Sequence, residues 1–277
     1  MTGRYAAMFA RLREQGEGAF GAFAMLGDPD PESSLAILDV LARSGADMLE
    51  VGIPFSDPVA DGPVIQAAAR RALRRGVRQA DCFAILTEFR ARHPQIPIGI
   101  LTYANLVLGR GRDTFYDAAA EAGVDSVLIA DLPVREAAPF AAAARRRGVA
   151  PVLVAAPNTP RPALRRIAAL GEGYTYCVTR PGVTGAGEPV GLQEAMLPDL
   201  LRGFGAPSAV FGFGISKPDH VRGGLAAGAA GVICGSAIVR IIAADADAPT
   251  RGLGAFVAAM KAATFSDVRA SAPVGAA

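Results

Sequence analysis

The sequence predicts an α/β protein, a (β/α)8 TIM barrel with an extra N-terminal helix. Three observations carry that prediction. Eight short, apolar, β-prone runs recur along the 277 residues. Stretches rich in Ala, Leu and Arg with helical spacing lie between them. The turns from helix back to strand carry glycine, as in Ser44-Gly45-Ala46-Asp47, Ala122-Gly123-Val124, Arg147-Gly148-Val149 and Ala227-Gly228-Ala229. Glycine just past a helix end supplies the left-handed cap that such a turn needs. Alternating βα units with short loops require a parallel sheet covered on both faces. Eight of them, with no dinucleotide-type fingerprint, favour closure into a barrel.

The elements follow in order. An amphipathic helix over 5–15 precedes the first strand, 20–25, and the helix over 32–44 returns the chain to the second strand, 48–51. Two helices, 64–75 and 81–92, separate that strand from the third, 98–103. The remaining units pair strands 126–130, 151–155 and 174–178 with helices 135–147, 162–169 and 192–202, the helix over 113–122 having led into the first of them. Strand 209–213 is followed by helix 218–227, and strand 231–234 opens a further helix at Gly235-Ser236. Lys261 lies in the last helix, after which the composition turns to Ala, Ser, Pro and Gly. Residues 1–263 are therefore expected to form one barrel domain, and 264–277 a flexible tail. No linker divides the chain.

Composition narrows the function classes. Hydrophobic residues make up 51% of the chain and charged residues 19%, enough to bury a large core, while the formal net charge is only +2. The basic residues are spread along the helices, and the densest run, Arg145-Arg146-Arg147, ends one. Cations at a helix C-terminus need no polyanion to explain them, so no nucleic-acid partner is expected. Cys82, Cys177 and Cys234 have no CxxC spacing and imply neither disulfides nor a zinc site. No signal peptide and no apolar run of membrane-spanning length is evident, so a soluble, cytoplasmic protein without a membrane partner is expected.

In a barrel of this kind, chemistry gathers just beyond the C-terminal ends of the strands. The second strand and its loop read Leu49-Glu50-Val51-Gly52-Ile53-Pro54-Phe55-Ser56-Asp57-Pro58-Val59-Ala60-Asp61-Gly62-Pro63. Strand alternation puts Met48, Glu50 and Gly52 on one face and Leu49 and Val51 on the other. The aliphatic face should meet the helices, which turns Glu50 into the barrel. A carboxylate there is costly to desolvate and has its pKa raised, which suits a group that both gives and takes a proton near neutrality. The competing reading is a structural carboxylate paired with an inward arginine, but no strand supplies one. Asp61 stays open on local context: Asp61-Gly62-Pro63 looks like a helix entry, so capping and catalysis compete.

Three glycine-bearing segments end the last three strands: Arg180-Pro181-Gly182-Val183-Thr184-Gly185-Ala186-Gly187, Phe211-Gly212-Phe213-Gly214-Ile215-Ser216 and Ile233-Cys234-Gly235-Ser236-Ala237. Glycine lets backbone N–H groups approach an anion, and Gly235-Ser236 at a helix N-terminus presents oriented donors. Phosphate is commonly held after the seventh and eighth strands of such barrels. Lysine is nearly absent: Lys217 opens a helix and Lys261 lies in the last one, so no strand offers an amine for a Schiff base. His93 and His220 are expected at the surface, and no metal site is expected. Proton transfer by carboxylates remains.

The stretch 49–66, Ile98-Gly99-Ile100-Leu101-Thr102-Tyr103-Ala104-Asn105, Gly173-Tyr174-Thr175-Tyr176, 180–185 and Gly212-Phe213-Gly214-Ile215-Ser216 together resemble the tryptophan synthase α chain family, a resemblance running from about residue 4 to 263. It implies that Glu50 is the general acid/base in the cleavage of indole-3-glycerol phosphate, that Asp61 faces the indole N–H, and that Tyr176 stands beside them. It further implies an indole pocket of Phe23, Leu101, Tyr103, Leu128, Ala130 and Phe213. Gly185, Gly214, Gly235 and Ser236 would bind phosphate, and Thr184 would meet Asp61 when its loop closes. The expected partner is a β subunit in an α2β2 complex, met by Asp57, Pro58 and Asn105. Pyridoxal phosphate is expected only in that partner, with no cofactor in this chain. A stand-alone indole-3-glycerol phosphate lyase and a non-catalytic phosphate-binding barrel are the alternatives.

Overall fold

The structure is a computed structural model that describes residues 3–178, 192–212, 214–244, 248 and 250–265, with no side-chain description over 192–195. Eight parallel strands close in sequence order: β1 (Ala19–Met25), β2 (Met48–Gly52), β3 (Ile98–Thr102), β4 (Ser126–Ile129), β5 (Ala150–Ala155), β6 (Thr175–Cys177), β7 (Ala209–Phe211) and β8 (Gly231–Cys234). The last rung joins β8 to β1, with Gly21 opposite Ile233 and Ala22 opposite Cys234. This is the predicted (β/α)8 barrel.

The helices are α1 (Gly3–Gln15), α2 (Pro31–Arg43), α3 (Pro63–Arg74), α4 (Gln79–Arg92), α5 (Ala104–Leu108), α6 (Arg112–Glu121), α7 (Ala138–Arg146), α8 (Arg161–Leu170), α9 (Leu192–Gly203), α10 (Pro218–Ala226), α11 (Ser236–Ala244) and α12 (Leu253–Ala262). Gly45, Gly123, Gly148 and Gly228, just beyond α2, α6, α7 and α10, have φ of 104°, 73°, 69° and 89°. Those are the left-handed positions that the αβ turns demanded. The helix expected over 135–147 is broken into a 3-10 turn, Val134–Glu136, and α7. Pro139 has no N–H to donate to the carbonyl of residue 135, so one continuous ladder cannot form. The strands stop one to two residues short of several predicted ends, where the chain turns into the βα loops.

Period-two alternation sorts the barrel into two apolar layers. Phe20, Ala22, Ala24, Leu49, Val51, Ile100 and Val127 pack outward against helix residues such as Ile37, Leu41, Leu86 and Phe89. Phe23, Met25, Met48, Leu128, Val152, Tyr174, Tyr176, Val210 and Ile233 fill the lumen. Branched aliphatic residues on both faces are what a strand buried on both sides requires.

One end of the lumen is closed by α1, whose Tyr5, Met8 and Leu12 join the lumen layer. The Tyr5 hydroxyl meets Ser126 Oγ at 2.8 Å, and its ring lies 5.4 Å from that of Tyr174. Two buried aspartates preceding β2 and β4 fix this closure. Asp47 accepts from the Phe20 amide at 2.9 Å and pairs with Arg11 at 3.0 Å and Lys261 at 2.7 Å. Asp125 accepts from the Ile98 amide at 2.8 Å and pairs with Arg90 at 2.6 Å and Arg4 at 2.9 Å. Each carboxylate thus bonds a neighbouring strand while holding α1, which explains why arginines interrupt that amphipathic helix. The chain stays paired through its last described residues: Gly18 N–H donates to the Thr264 carbonyl at 3.0 Å, and Phe265 bridges Glu17. Residues 266–277 lie outside the described residues.

Candidate active site

At the opposite end, the C-terminal ends of the strands surround a cavity with about 530 Å3 of empty space out to its open mouth. Phe23, Glu50, Asp61, Leu101, Tyr176, Gly214, Gly235 and Ser236 line it, together with Ile65, Gly212, Ile215, Ser216, Ile233, Ala237 and Arg240. Eight residues singled out from the sequence therefore share one cavity.

Glu50 sits opposite Phe23 of β1 and Gly99 of β3 in the strand register, and is 2% exposed. Its Oε1 accepts a hydrogen bond of 3.0 Å from the Tyr174 hydroxyl, so the partner that answers its burial is a phenol. Burial pushes the Glu50 carboxyl up to about 8, the nearby Asp61 charge adds to the rise, and the Tyr174 bond opposes it. A carboxyl in that range is a competent acid and, once ionised, a competent base near neutrality. Tyr174 was not among the residues singled out for the site. It precedes Tyr176 by two on the same strand face, and alternation alone cannot say which phenol reaches Glu50.

Asp61 does not cap a helix. The N-cap of α3 is Gly62, with no side-chain cap bond, and Pro63 follows at the first helical position. Burial raises the Asp61 carboxyl above its ordinary range, and a side-chain bond with Tyr103 holds it back. The Tyr103 hydroxyl also accepts from the Ala60 amide at 3.3 Å, while Gln66 Nε2 donates to the Asp61 carbonyl at 2.7 Å. Phe55 stacks on Tyr103 with ring centroids 5.3 Å apart. The loop of 53–62 is thereby held to β3 and α3, which fixes the Asp61 carboxylate at the rim.

Leu128 belongs to the lumen layer and Ala130 packs against it, but neither lines the cavity in this structure. Tyr103 reaches the site through Asp61. Phe213, Thr184 and Gly185 lie outside the described residues, as does the whole glycine-bearing segment after β6. Gly212 was quoted within its motif but not as a site residue. A Cβ there would come 1.9 Å from the Tyr176 ring, so only glycine leaves Tyr176 its place. Gly235 carries the first carbonyl of α11, accepting from Val239 N–H at 3.1 Å, and with Ser236 it brings the helix N-terminus to the cavity. That end carries partial positive charge and suits an anion.

The histidines differ in part from expectation. His93 is half-buried, with Nε2 2.8 Å from Asp39 and its ring stacked on Phe89; His220 receives the Ser216 amide at 3.3 Å. Among the described residues, no group of three His, Cys, Asp or Glu could hold a metal ion. The arrangement offers a protonatable carboxyl, a second carboxylate, apolar lining from Phe23, Ile65 and Leu101, and a helix N-terminus whose partial charge suits an anion.

A family model described as tryptophan synthase alpha chain matches residues 9–266. The tryptophan synthase alpha chain of Yersinia pseudotuberculosis is 54% identical over 266 residues, covering 95% of this chain and 99% of that protein. That of Aeromonas hydrophila is 53% identical over 264 residues, covering 94% and 98%. Among solved structures, a chain of Mycobacterium tuberculosis tryptophan synthase superposes with a TM-score of 0.86 at 29% identity, covering 95% of this chain and 98% of that one. A chain from the tryptophan synthase α2β2 complex of Pyrococcus furiosus superposes at 0.82 with 38% identity, covering 88% and 98%.

Proposed function

The chain belongs to the tryptophan synthase alpha chain family, and from that premise we propose that Glu50 and Asp61 carry out its cleavage of indole-3-glycerol phosphate to indole and glyceraldehyde 3-phosphate. The observation that carries the residue assignment is Glu50: a buried carboxyl with its pKa near 8, lining the cavity beside a second carboxylate.

The substrate lies with its indole in the slot of Phe23, Ile65 and Leu101 and its phosphate toward Gly214, Gly235 and Ser236. The Glu50 acid gives its proton to indole C3, leaving a ring that carries positive charge at its nitrogen. Asp61 faces that N–H and stabilises the charge. The Glu50 carboxylate then takes the proton of the glycerol hydroxyl next to the ring, and the C–C bond breaks. Its electron pair returns to the ring, restoring indole and the Glu50 acid, while the hydroxyl carbon becomes the aldehyde. The protonated ring is its own electron sink, so neither a Schiff base nor a cofactor in this chain is called on. Tyr176 walls the reacting carbon. Thr184 and Gly185, outside the described residues, remain assigned by resemblance to loop closure and phosphate binding.

The chain works as the α subunit of an α2β2 complex, with pyridoxal phosphate chemistry confined to the β subunit. This reading is favoured over a stand-alone lyase by relatives named alpha chains and by the Pyrococcus furiosus neighbour, solved as an α2β2 complex. Asp57 and Asn105, read as partner-facing, are exposed at this end of the barrel, as are the apolar Val59 and Leu108. No described helix is long and apolar enough to cross a membrane. With three buried free thiols, a cytoplasmic location fits best.

The test is indole release from indole-3-glycerol phosphate by the purified chain, alone and with a β subunit. Release that rises when β is added supports the subunit reading. Release that is unaffected by β favours the stand-alone lyase, and no release in either state favours a non-catalytic barrel.

A further inference from the structure

The phosphate end of the cavity contains one cation that the backbone reading left out. Arg240 lines the same cavity as Glu50, Asp61, Gly214, Gly235 and Ser236, and it is the only basic side chain among the described lining residues. It follows Ser236 by four positions in α11. Helical side chains lean toward the helix N-terminus, so residues four apart share a face and the later one reaches back over the first turn. Arg240 thus stands above the amides read as phosphate donors. It also borders a second, more open cavity with Pro63, Val64, Ala67 and Arg71. Arg71 is committed there, holding both oxygens of buried Asp28 at 2.7 and 2.8 Å. Arg240 has no such carboxylate among the described residues and remains exposed on its helix.

Resting on the proposed function, we infer that Arg240 is a side-chain ligand for the substrate's phosphate. A helix N-terminus contributes about half a positive charge, too little to offset a phosphomonoester dianion. A guanidinium adds a full charge and a fork that fits two phosphate oxygens. One cavity then offers a cation as well as the two carboxylates, Glu50 and Asp61. Arg240 so favours phosphorylated substrates without touching the reacting atoms.

Calorimetry with glycerol 3-phosphate tests this, using the full chain and its Arg240→Gln and Arg240→Lys variants at about 20 and about 200 mM salt. Arg240→Gln is expected to weaken binding by about tenfold at low salt, the size of one charge-assisted hydrogen bond at a half-open site. The loss should shrink at high salt, and Arg240→Lys should recover part of it. In steady state, KM for indole-3-glycerol phosphate should rise by a similar factor with kcat within about twofold, as lost uniform binding requires. Glycerol 3-phosphate affinity in Arg240→Gln within about twofold of the parent at both salts would overturn the assignment and place the guanidinium in the outer cavity. Cleavage by the parent chain, measured in the same preparations, reports separately on the function on which the inference rests.

Discussion

The raised carboxyl of Glu50 makes two predictions at the scale of one residue. If Glu50 must start as the acid, kcat/KM should fall as pH rises through about 8, the value to which burial pushes it. The Tyr174 bond lowers that value, so Tyr174→Phe should move the alkaline limb to higher pH; a limb that stays in place would show that the bond does not govern Glu50. The same shift has a stability sign. The folded state holds the Glu50 proton more tightly than the unfolded state. Its contribution is therefore full below the ordinary carboxyl range and is lost as pH rises through about 8. Denaturant titrations of the parent and Glu50→Gln should accordingly diverge between about pH 5 and 8, with the parent losing ground. Asp61→Asn removes the charge proposed to face the indole nitrogen and should lower kcat by about 100-fold, of the order of one lost electrostatic stabiliser, with little change in glycerol 3-phosphate affinity. Glu50 was legible because a carboxylate in an otherwise apolar strand can only be costly or useful. Asp61 was not, since Asp-Gly-Pro reads equally as a helix entry until the cap is seen at Gly62. Arg240 was hidden among evenly spread helical arginines, and only the fold shows which one meets the cavity.

At the scale of elements, the eight strands and most helices were readable because their rules are local: two-residue alternation, 3.6-residue spacing and glycine at left-handed turns. What stayed unread depends on contacts between distant segments. The role of α1 as the closure of the barrel's N-terminal end rests on Arg4, Tyr5 and Arg11 meeting Asp125, Ser126 and Asp47, and no spacing rule links those positions. Asp125 is 2% exposed and serves two arginines and a strand amide. Asp125→Ala should therefore cost about 3 kcal/mol in a denaturant titration, the scale of a broken buried pair, while KM for the substrate at the far end is unchanged. At the other end, β7 must be followed by glycine, at position 212, for β6 to present Tyr176. Gly212→Ala puts a methyl 1.9 Å from the Tyr176 ring. It should displace that ring and lower kcat/KM by about tenfold or more, with the far-ultraviolet dichroism of the barrel retained.

The whole molecule divides its tasks between the two ends of one closed sheet. Ion pairs and α1 fix the N-terminal end, while the C-terminal end keeps two buried carboxylates, the α11 N-terminus proposed to hold phosphate, and the exposed Asp57, Val59, Asn105 and Leu108 toward which a β subunit is expected to dock. That separation lets the chemical end hold groups whose burial is costly, because the other end supplies the stability. Proton transfer by Glu50 is proposed to drive the cleavage, whether the chain is alone or bound to β. Single-turnover indole release by Glu50→Gln with saturating β subunit tests it most directly, with glycerol 3-phosphate binding as the check on an intact site. The predicted result is a loss of about 1,000-fold or more, at or above the middle of the range for general acid–base groups, with anion affinity within about twofold of the parent. Release within about tenfold of the parent would contradict the assignment and move the proton chemistry to another group.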